Sequence, residues 1–342
     1  MPPEIMQDHA NRFKVLSIDG GGTKGLYCAK IIEGIENEYG TRISDHFDLI
    51  CGTSTGGLIA LALSLGIPAS DIVRFYLDHS ANIFPNRNII EKSLRILSQL
   101  VGRGKYDNKA LIHALWSLFG DRTLKESKCL LCIPSFSLSD GRPYIFKRDH
   151  SEGNLKRDNS TRYLDVALAT SAAPTYLPVA TIENHNNRQF IDGGIYANNP
   201  SLVGIIEAFR YFVGDGKQFD RLGLLSIATP EPFPGARRTK NTRRSILHWN
   251  SSLIKAFFEG QIGMTNHVVD TLAHHCNPGL DFVRIPGAYL NNELSRTLQL
   301  DSASNESLDA LSALGSDMFL KYRGDQRIRD FFEKKKIYLV ES

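Results

Sequence analysis

Apolar runs of strand length alternate with helical periodicity along the first two thirds of the chain. The run 13–18 precedes a segment, 26–35, whose apolar residues recur at helical spacing, and the run 47–51 leads into the apolar stretch 58–63. This strand-helix-strand-helix order predicts an α/β fold with a parallel sheet and right-handed crossovers.

The pattern becomes mainly helical between 68 and 128, which we expect to form a flap over or beside the segment 47–63. Further strands are predicted at 129–136, 144–146, 189–191 and 221–228, the last being the final clear core strand. Beyond residue 229 the predicted elements are helices at 253–271 and 306–321. For this C-terminal third, a lid, a regulatory layer and the surface of a homo-oligomer remain open alternatives.

Composition limits the classes of protein to consider. The 342 residues are 42% hydrophobic, enough for a substantial core, and the net charge of +3 gives no support for a nucleic-acid polymer as partner. Five cysteines without a paired framework suggest a reducing, cytoplasmic compartment. The start of the chain lacks the features of a signal peptide, and the longest apolar run, 58–65, is too short to span a bilayer. We therefore expect any membrane contact to be peripheral.

The segment 47–57 joins an apolar run, a Gly-x-Ser-x-Gly motif and the start of an apolar helix. The motif consists of Gly52, Ser54 and Gly56. A nucleophile elbow needs this order, because the serine sits on a strained strand-to-helix turn that the glycines allow the backbone to make. The N–H groups at the helix start also favour negative charge. Ser54 is the predicted nucleophile; the alternative is a buried turn without chemistry.

A glycine-rich loop, 20–25, follows the first predicted strand and fits Gly-x-Gly-x-x-Gly. Dinucleotide binding would require an acidic residue at the end of the next strand, where the Ser54 motif stands instead, and a phosphate-binding Walker loop would not place Gly25 after Lys24. Successive backbone N–H groups at a helix start are better suited to an oxyanion. The predicted donors are Gly20, Gly21 and Gly22.

The third glycine-containing feature is a Gly-Gly pair that follows Asp192, at the end of the predicted strand 189–191. The ten histidines of the chain do not occur in such a strand-end position, whereas a partly buried carboxylate with a raised pKa can accept a serine proton. Gly193 and Gly194 would allow the close approach. The alternative role for Asp192 is to cap a turn.

Four motifs now stand in order: Asp19-Gly20-Gly21-Gly22-x-x-Gly25, Gly52-x-Ser54-x-Gly56, the stretch 169–178 (ATSAAPTYLP) and Asp192-Gly193-Gly194. In this order and spacing they resemble the patatin-like phospholipases. The resemblance implies a three-layer α/β sandwich with a mostly parallel central sheet. It covers about 13–228, which implies a catalytic domain over 13–228 and a helical lid or regulatory region over 229–342.

The resemblance also implies a function. Ser54 and Asp192 would form a catalytic dyad, Gly20 to Gly22 an oxyanion hole, and the reaction would be hydrolysis of glycerophospholipid acyl esters without calcium or another metal. Lys24 departs from the arginine that many members carry. Bacterial relatives include effectors of anti-phage defence that cyclic dinucleotides activate, so we consider a cyclic dinucleotide as activator. The expected location is cytoplasmic, at the inner face of the membrane.

A cluster of cations between 237 and 244 has two interpretations: a surface for anionic head groups or a phosphorylated regulator, and a plain solvated loop. Its members are Arg237, Arg238, Lys240, Arg243 and Arg244. Cys129-x-x-Cys132 and His274-His275-Cys276 have weak metal-site character, since residues three apart on a strand or adjacent on a helix do not share a face. We expect no metal site there.

Two other functions remain as alternatives. An acyltransferase would pass the acyl group to an alcohol, and such Gly-x-Ser-x-Gly enzymes usually use histidine as the base. A catalytically silent lipid- or nucleotide-binding module would keep the fold without turnover. The presence of both Ser54 and Asp192 favours the hydrolase.

Overall fold

The computed structural model describes residues 11–85, 106–232, 246–277 and 279–340, and for 246–255 the backbone alone. Within these ranges the chain forms the strands β1 (Arg12–Ile18), β2 (Leu49–Gly52), β3 (Leu130–Ser137), β4 (Arg142–Lys147), β5 (Ala180–Ile182), β6 (Arg188–Asp192), β7 (Arg221–Ile227), β8 (Glu231–Pro232), β9 (Leu280–Ile285) and β10 (Tyr289–Leu290). The helices are α1 (Gly25–Tyr39), α2 (Thr55–Ser64), α3 (Ala69–Ile83), α4 (Lys109–Phe119), α5 (Tyr163–Ser171), α6 (Gly194–Ala197), α7 (Ser201–Tyr211), α8 (Ile246–His275), α9 (Asn292–Thr297), α10 (Asn305–Tyr322) and α11 (Gln326–Phe332).

Eight strands form one mixed sheet in the order β5-β6-β3-β2-β1-β7-β9, with β4 also paired to β3. The central pairs β3-β2, β2-β1, β1-β7 and β7-β9 are parallel. The pairs of β4 and β6 with β3, and of β5 with β6, are antiparallel. The carboxyl ends of β1 and β2 therefore meet at one edge of the sheet, where open α/β sheets bind ligands.

Helices cover both faces of the sheet. Leu16 and Ile18 of β1 belong to a buried cluster with α1, α2, α5 and α10, whereas Phe13 and Val15 belong to a second cluster with α7 and α8. The alternation follows from the two-residue period of a strand. The predicted α/β class, with a mostly parallel sheet between two helical layers, is confirmed.

Helix α2 is buried over its whole length, from Thr55 to Ser64. Its uniformly apolar sequence suits this position, because a helix without a polar face has no side to present to solvent. The apolar run 58–65 is thus the central helix of the core. No helix in the described ranges combines the length and the apolar character needed to cross a bilayer.

The C-terminal third adds more than helices. Its strand β9 pairs with β7 over Leu222–Ile227, so the prediction that 221–228 is the last core strand is wrong. Helix α10 crosses α1 closely: a Cβ atom on Gly34 would lie 2.5 Å from the Phe319 ring, and one on Gly315 would lie 2.7 Å from the Tyr27 carbonyl oxygen. On α11, Phe331 stacks on Phe47 with the ring centroids 5.6 Å apart.

Candidate active site

Ser54 occupies the sharp turn between β2 and α2. Its φ of 55° and ψ of −123° place a non-glycine residue in a region that L-residues rarely adopt, which is the strained geometry of a nucleophile elbow. The glycines on either side of Ser54 are required because a side chain at either position would clash with the backbone. A Cβ atom on Gly52 would lie 2.1 Å from the Gly56 carbonyl oxygen, and one on Gly56 would lie 2.2 Å from the Ile18 carbonyl oxygen.

Asp192 ends β6, and its carboxylate lies beside Ser54 in the lining of one cavity, where the serine hydroxyl acts to lower the pKa of the carboxyl group. It accepts a hydrogen bond from the Gly194 N–H, 2.7 Å from Oδ1. Gly193 is required where it stands, because a Cβ atom there would lie 2.3 Å from the Pro134 carbonyl oxygen. The structure therefore brings together the two side chains that the sequence singled out, although they are far apart along the chain.

The Asp192 side chain is almost completely buried. Burial raises the pKa of Asp192 to about 6, and the Ser54 hydroxyl and the Gly194 N–H counteract part of this rise. At neutral pH the carboxyl group is thus mostly ionised, yet more basic than an ordinary aspartate. It can therefore act as a base toward the hydroxyl group beside it.

The glycine loop differs from the prediction at one position. The Gly20 N–H donates to the Asn198 carbonyl oxygen at 2.9 Å, so this amide is not free for an oxyanion and the prediction for Gly20 is wrong. The N–H groups of Gly21 and Gly22 have no acceptor among the described residues, and both glycines line the same cavity as Ser54. Gly22 has a φ of 60°, a conformation that favours glycine.

Gly25 begins α1 beside the elbow helix. A Cβ atom on Gly25 would lie 2.1 Å from the Thr55 hydroxyl oxygen and 2.5 Å from the Tyr76 hydroxyl oxygen. The glycine therefore permits close packing of α1 on α2, which fixes the distance between the glycine loop and Ser54.

Three contacts from the C-terminal third hold the glycine loop, and the sequence reasoning missed all of them. Arg284 on β9 forms a 2.6 Å ion pair with the fully buried Asp19, whose pKa is raised by burial against the opposing effect of Arg284. The Leu300 carbonyl oxygen accepts from the Thr23 N–H at 2.9 Å. Gln261 on α8 accepts from the Asn198 N–H at 2.7 Å. We call these three contacts the braces.

Thr170 was also missed as a positioning residue, although it lies in the family-like stretch 169–178. Its hydroxyl oxygen accepts from the Ser54 N–H at 3.0 Å and donates to the Pro134 carbonyl oxygen at 2.6 Å. The side chain thereby fixes the elbow against β3. Its place in a recognisable motif was the signal that could have identified it.

Ser54 and Asp192 open onto an apolar cavity of about 410 Å³. The volume is in the range of small-molecule sites. Helix α3, which follows the elbow helix, contributes several lining residues, whereas residues 86–105 of the predicted flap lie outside the described residues. No lysine, arginine or histidine lines the cavity among the described residues. The apolar lining consists mainly of Leu58, Phe75, Tyr76, Ile83, Phe84, Leu111, Ala173, Pro174, Tyr176, Leu177, Ile195, Phe257, Phe258 and Leu300.

Other predicted features lie away from this cavity. The basic cluster from Arg237 to Arg244 falls outside the described residues. Cys129 and Cys132 are buried free thiols, and His274 and His275 are exposed on the last turn of α8. The described part of the chain contains no group of three or more His, Cys, Asp or Glu side chains arranged to hold a metal ion.

Comparison with known proteins now identifies the family. Residues 16–204 match the family model described as patatin-like phospholipase. The chain is 30% identical to a cGAMP-activated phospholipase of Escherichia coli, with 94% of this chain and 93% of the relative covered. It is also 30% identical to a cGAMP-activated phospholipase of Vibrio cholerae, with 97% of each chain covered.

A plant relative shows that the likeness is not confined to bacteria. Patatin-like protein 2 of Arabidopsis thaliana is 30% identical, with 92% of this chain and 84% of the relative covered. The alignments extend well beyond residue 204 and so include the C-terminal third. With a family model that spans more than half of its residues and relatives aligned over nearly its whole length, the chain belongs to the patatin-like phospholipases and is a lipid acyl hydrolase.

Proposed function

We propose that Ser54 and Asp192 are the catalytic dyad with which this chain cleaves fatty acyl esters of membrane glycerophospholipids. One observation supports this most directly: Ser54, held on a strained elbow, and the buried carboxylate of Asp192 lie together in the lining of one apolar cavity. The hydroxyl is weakly nucleophilic by itself, and an adjacent base of raised pKa activates it.

The first step would acylate the enzyme. As the Ser54 oxygen attacks the ester carbonyl carbon, its proton passes to Asp192, and the carbonyl oxygen becomes an oxyanion within reach of the Gly21 and Gly22 N–H groups. When the tetrahedral intermediate collapses, the ester C–O bond breaks and the departing lysophospholipid alcohol takes the proton from Asp192. Loss of one such N–H donor typically raises the barrier by about 3–4 kcal/mol.

The second step would release the fatty acid. Asp192 takes a proton from a water molecule as the water oxygen attacks the acyl-Ser54 carbonyl carbon. Collapse of the second intermediate breaks the bond to the Ser54 oxygen, which recovers its proton from Asp192. The apolar cavity suits the acyl chain, because it removes the chain from water in both steps.

We also propose that a cyclic dinucleotide activates this chain. Support comes from the relatives named cGAMP-activated phospholipase, which align with this chain over more than nine tenths of both lengths. The braces give such an activator a structural route, because two of them contact residues 19–25 directly and the third contacts Asn198, which accepts a hydrogen bond from the Gly20 N–H. The proposed place of action is the cytoplasmic face of a membrane, with peripheral contact, and calcium is not required in this scheme.

The decisive experiment measures fatty-acid release from phospholipid vesicles by wild type and Ser54→Ala, with and without cGAMP and with EDTA present. We expect release by wild type, stimulation by cGAMP, and loss of at least 10⁴-fold in Ser54→Ala. Undiminished release by Ser54→Ala would contradict the dyad. Release that requires added calcium would contradict the calcium-free scheme, and transfer to an added alcohol in preference to water would favour an acyltransferase.

A further inference from the structure

The mouth of the cavity carries two exposed hydrophobic side chains. Phe257 on α8 is 66% exposed and Ile195 on α6 is 39% exposed. Both line the same cavity as Ser54, and the other described lining residues are more buried than these two. The helices that carry these side chains, α6 and α8, contact each other. We call Phe257 and Ile195 the apolar rim.

Other exposed hydrophobic residues do not share this position. Leu320 on α10 is 61% exposed and Ile206 on α7 is 60% exposed, and neither lines the cavity. Single exposed apolar side chains are common on protein surfaces. The apolar rim differs because it continues the buried apolar lining out to the solvent, next to the partly buried Phe258.

The charges around the cavity also suit an apolar partner. The one carboxylate in the described lining belongs to Asp192, which is buried inside, and that same set of described lining residues includes no cationic side chain. A lipid acyl chain that leaves a bilayer is exposed to water unless the path to Ser54 is apolar throughout, and that exposure is unfavourable. A continuous apolar path requires the mouth of the cavity to touch the acyl region of the bilayer.

We propose that the apolar rim, Phe257 and Ile195, inserts into a phospholipid bilayer and connects its acyl region with the cavity. The inference deepens the proposed function and rests on it, because it assumes that the cavity receives lipid acyl chains. It also assigns a second role to α8, which then carries both a membrane contact and, through Gln261, one of the braces.

Binding is tested without turnover in the Ser54→Ala background. A single tryptophan replaces Phe257, after Trp116 and Trp249 are changed to phenylalanine. On addition of phosphatidylethanolamine–phosphatidylglycerol vesicles that contain a brominated lipid, we expect a blue shift and quenching of this tryptophan. The matched control places the tryptophan at Leu320, where neither change is expected. Equal signals at the two positions would overturn the proposal.

Turnover is tested by the ratio of two activities. Phe257→Ser, alone and with Ile195→Ser, is assayed on the same vesicles and on a water-soluble short-chain ester, each with and without cGAMP. We expect the ratio of vesicle to soluble activity to fall on the order of tenfold for each apolar side chain removed. Leu320→Ser and Ile206→Ser are the controls and should keep the wild-type ratio. An unchanged ratio in the double variant would contradict the inference.

The two assays separate failure of the inference from failure of the proposed function. If wild type cleaves phospholipid in vesicles but the tryptophan at position 257 shows no blue shift and no quenching, the apolar rim does not insert into the bilayer, and the proposed hydrolase function is unaffected. If the tryptophan shows the blue shift and quenching but Ser54→Ala cleaves as fast as wild type, Ser54 and Asp192 are not the catalytic dyad, and the proposed membrane contact is unaffected.

Discussion

The part of the chain that matches the family model and the part beyond residue 229 contribute to the site in different ways. Within 16–204, the site residues are identifiable because the backbone itself is constrained: Ser54 has a positive φ, and a Cβ atom on Gly52, Gly56 or Gly193 would lie within 2.3 Å of a carbonyl oxygen. The C-terminal third instead contributes the braces, made by an arginine, a glutamine and a main-chain carbonyl.

The two kinds of contribution explain why only one of them leaves a sequence motif. A strained turn accepts few residue types, so the same glycines recur around it and form a pattern. A brace needs one donor or acceptor at one point in space, and many sequences can supply it. The proposed catalytic groups are therefore visible in the sequence, whereas the groups that hold them are not. Variants on either side of this division can test it.

The largest effect is expected from Asp192→Asn, in the motif-bearing part. The amide cannot accept the Ser54 proton, so kcat should fall about 10³-fold or more.

The stability of the fold should not fall together with kcat. The pKa of the Asp192 carboxyl group is about 6 in the folded protein and near the ordinary value of 3.8 in the unfolded chain. The free energy of unfolding therefore falls as the pH rises from about 4 to about 6. Above pH 6 the wild type carries an ionised group that destabilises the fold.

The measurement is turnover together with thermal unfolding at pH 8. We expect the melting temperature of Asp192→Asn to equal or exceed that of wild type. A variant that melts well below wild type would mean that Asp192 is mainly structural.

The next effect concerns the braces. Arg284→Met leaves the carboxylate of Asp19 buried without its partner, which should destabilise the fold by about 3–5 kcal/mol. The matched control is Arg221→Met, whose 2.7 Å ion pair with Asp281 is partly exposed and should be worth about 1 kcal/mol or less.

Urea unfolding of both variants measures the difference. Adding Asp19→Asn to Arg284→Met should recover part of the lost stability, because it removes the uncompensated charge. Equal losses in Arg284→Met and Arg221→Met would contradict a special role for the buried pair.

A smaller effect is expected from pH, again in the motif-bearing part. Only ionised Asp192 can accept the Ser54 proton, so kcat/KM should rise with pH up to about 6 and then level off. At pH 5 it should be about tenfold below the plateau, as the fraction ionised requires. A pH series on a soluble ester gives the profile, and a midpoint well above 7 would point to a different base.

The smallest effect is expected from Gln261→Ala. It leaves the Asn198 N–H without its 2.7 Å acceptor and should cost about 1–2 kcal/mol of stability, with a loss of activity of severalfold at most. Gln261→Glu keeps an accepting oxygen and is the matched control, so it should retain more stability and more activity. Identical behaviour of the two variants in unfolding and turnover assays would show that this hydrogen bond does not matter.

Much of the fold and the centre of the site could be predicted from the sequence. The order of apolar runs predicted the parallel core, and the glycine motifs predicted where Ser54 and Asp192 would lie, because both signals act over a few neighbouring residues. Strand β9 was missed for a physical reason. It carries Asp281 and Arg284, and a charge within a strand looks like a surface position unless its distant partner is known.

Gly20 shows the same limit in the backbone. Its N–H resembles those of Gly21 and Gly22 in every local respect, yet it donates a hydrogen bond to the Asn198 carbonyl oxygen. A carbonyl oxygen is present in every residue, so no side chain in the sequence announces such a partner. Predictions that depend on which distant main-chain groups meet require the fold itself.

The hydrogen bond from Thr23 to Leu300 joins two main chains, and this has a practical consequence for mutational scanning. Replacing the side chain at position 300 leaves the carbonyl oxygen in place, so an alanine scan would not register this hydrogen bond. Deletion or insertion of one residue between α9 and α10 would move the oxygen and reveal its importance. In a library of point variants, a loss at position 300 would report the side chain in the cavity lining and not the main-chain contact that positions the glycine loop.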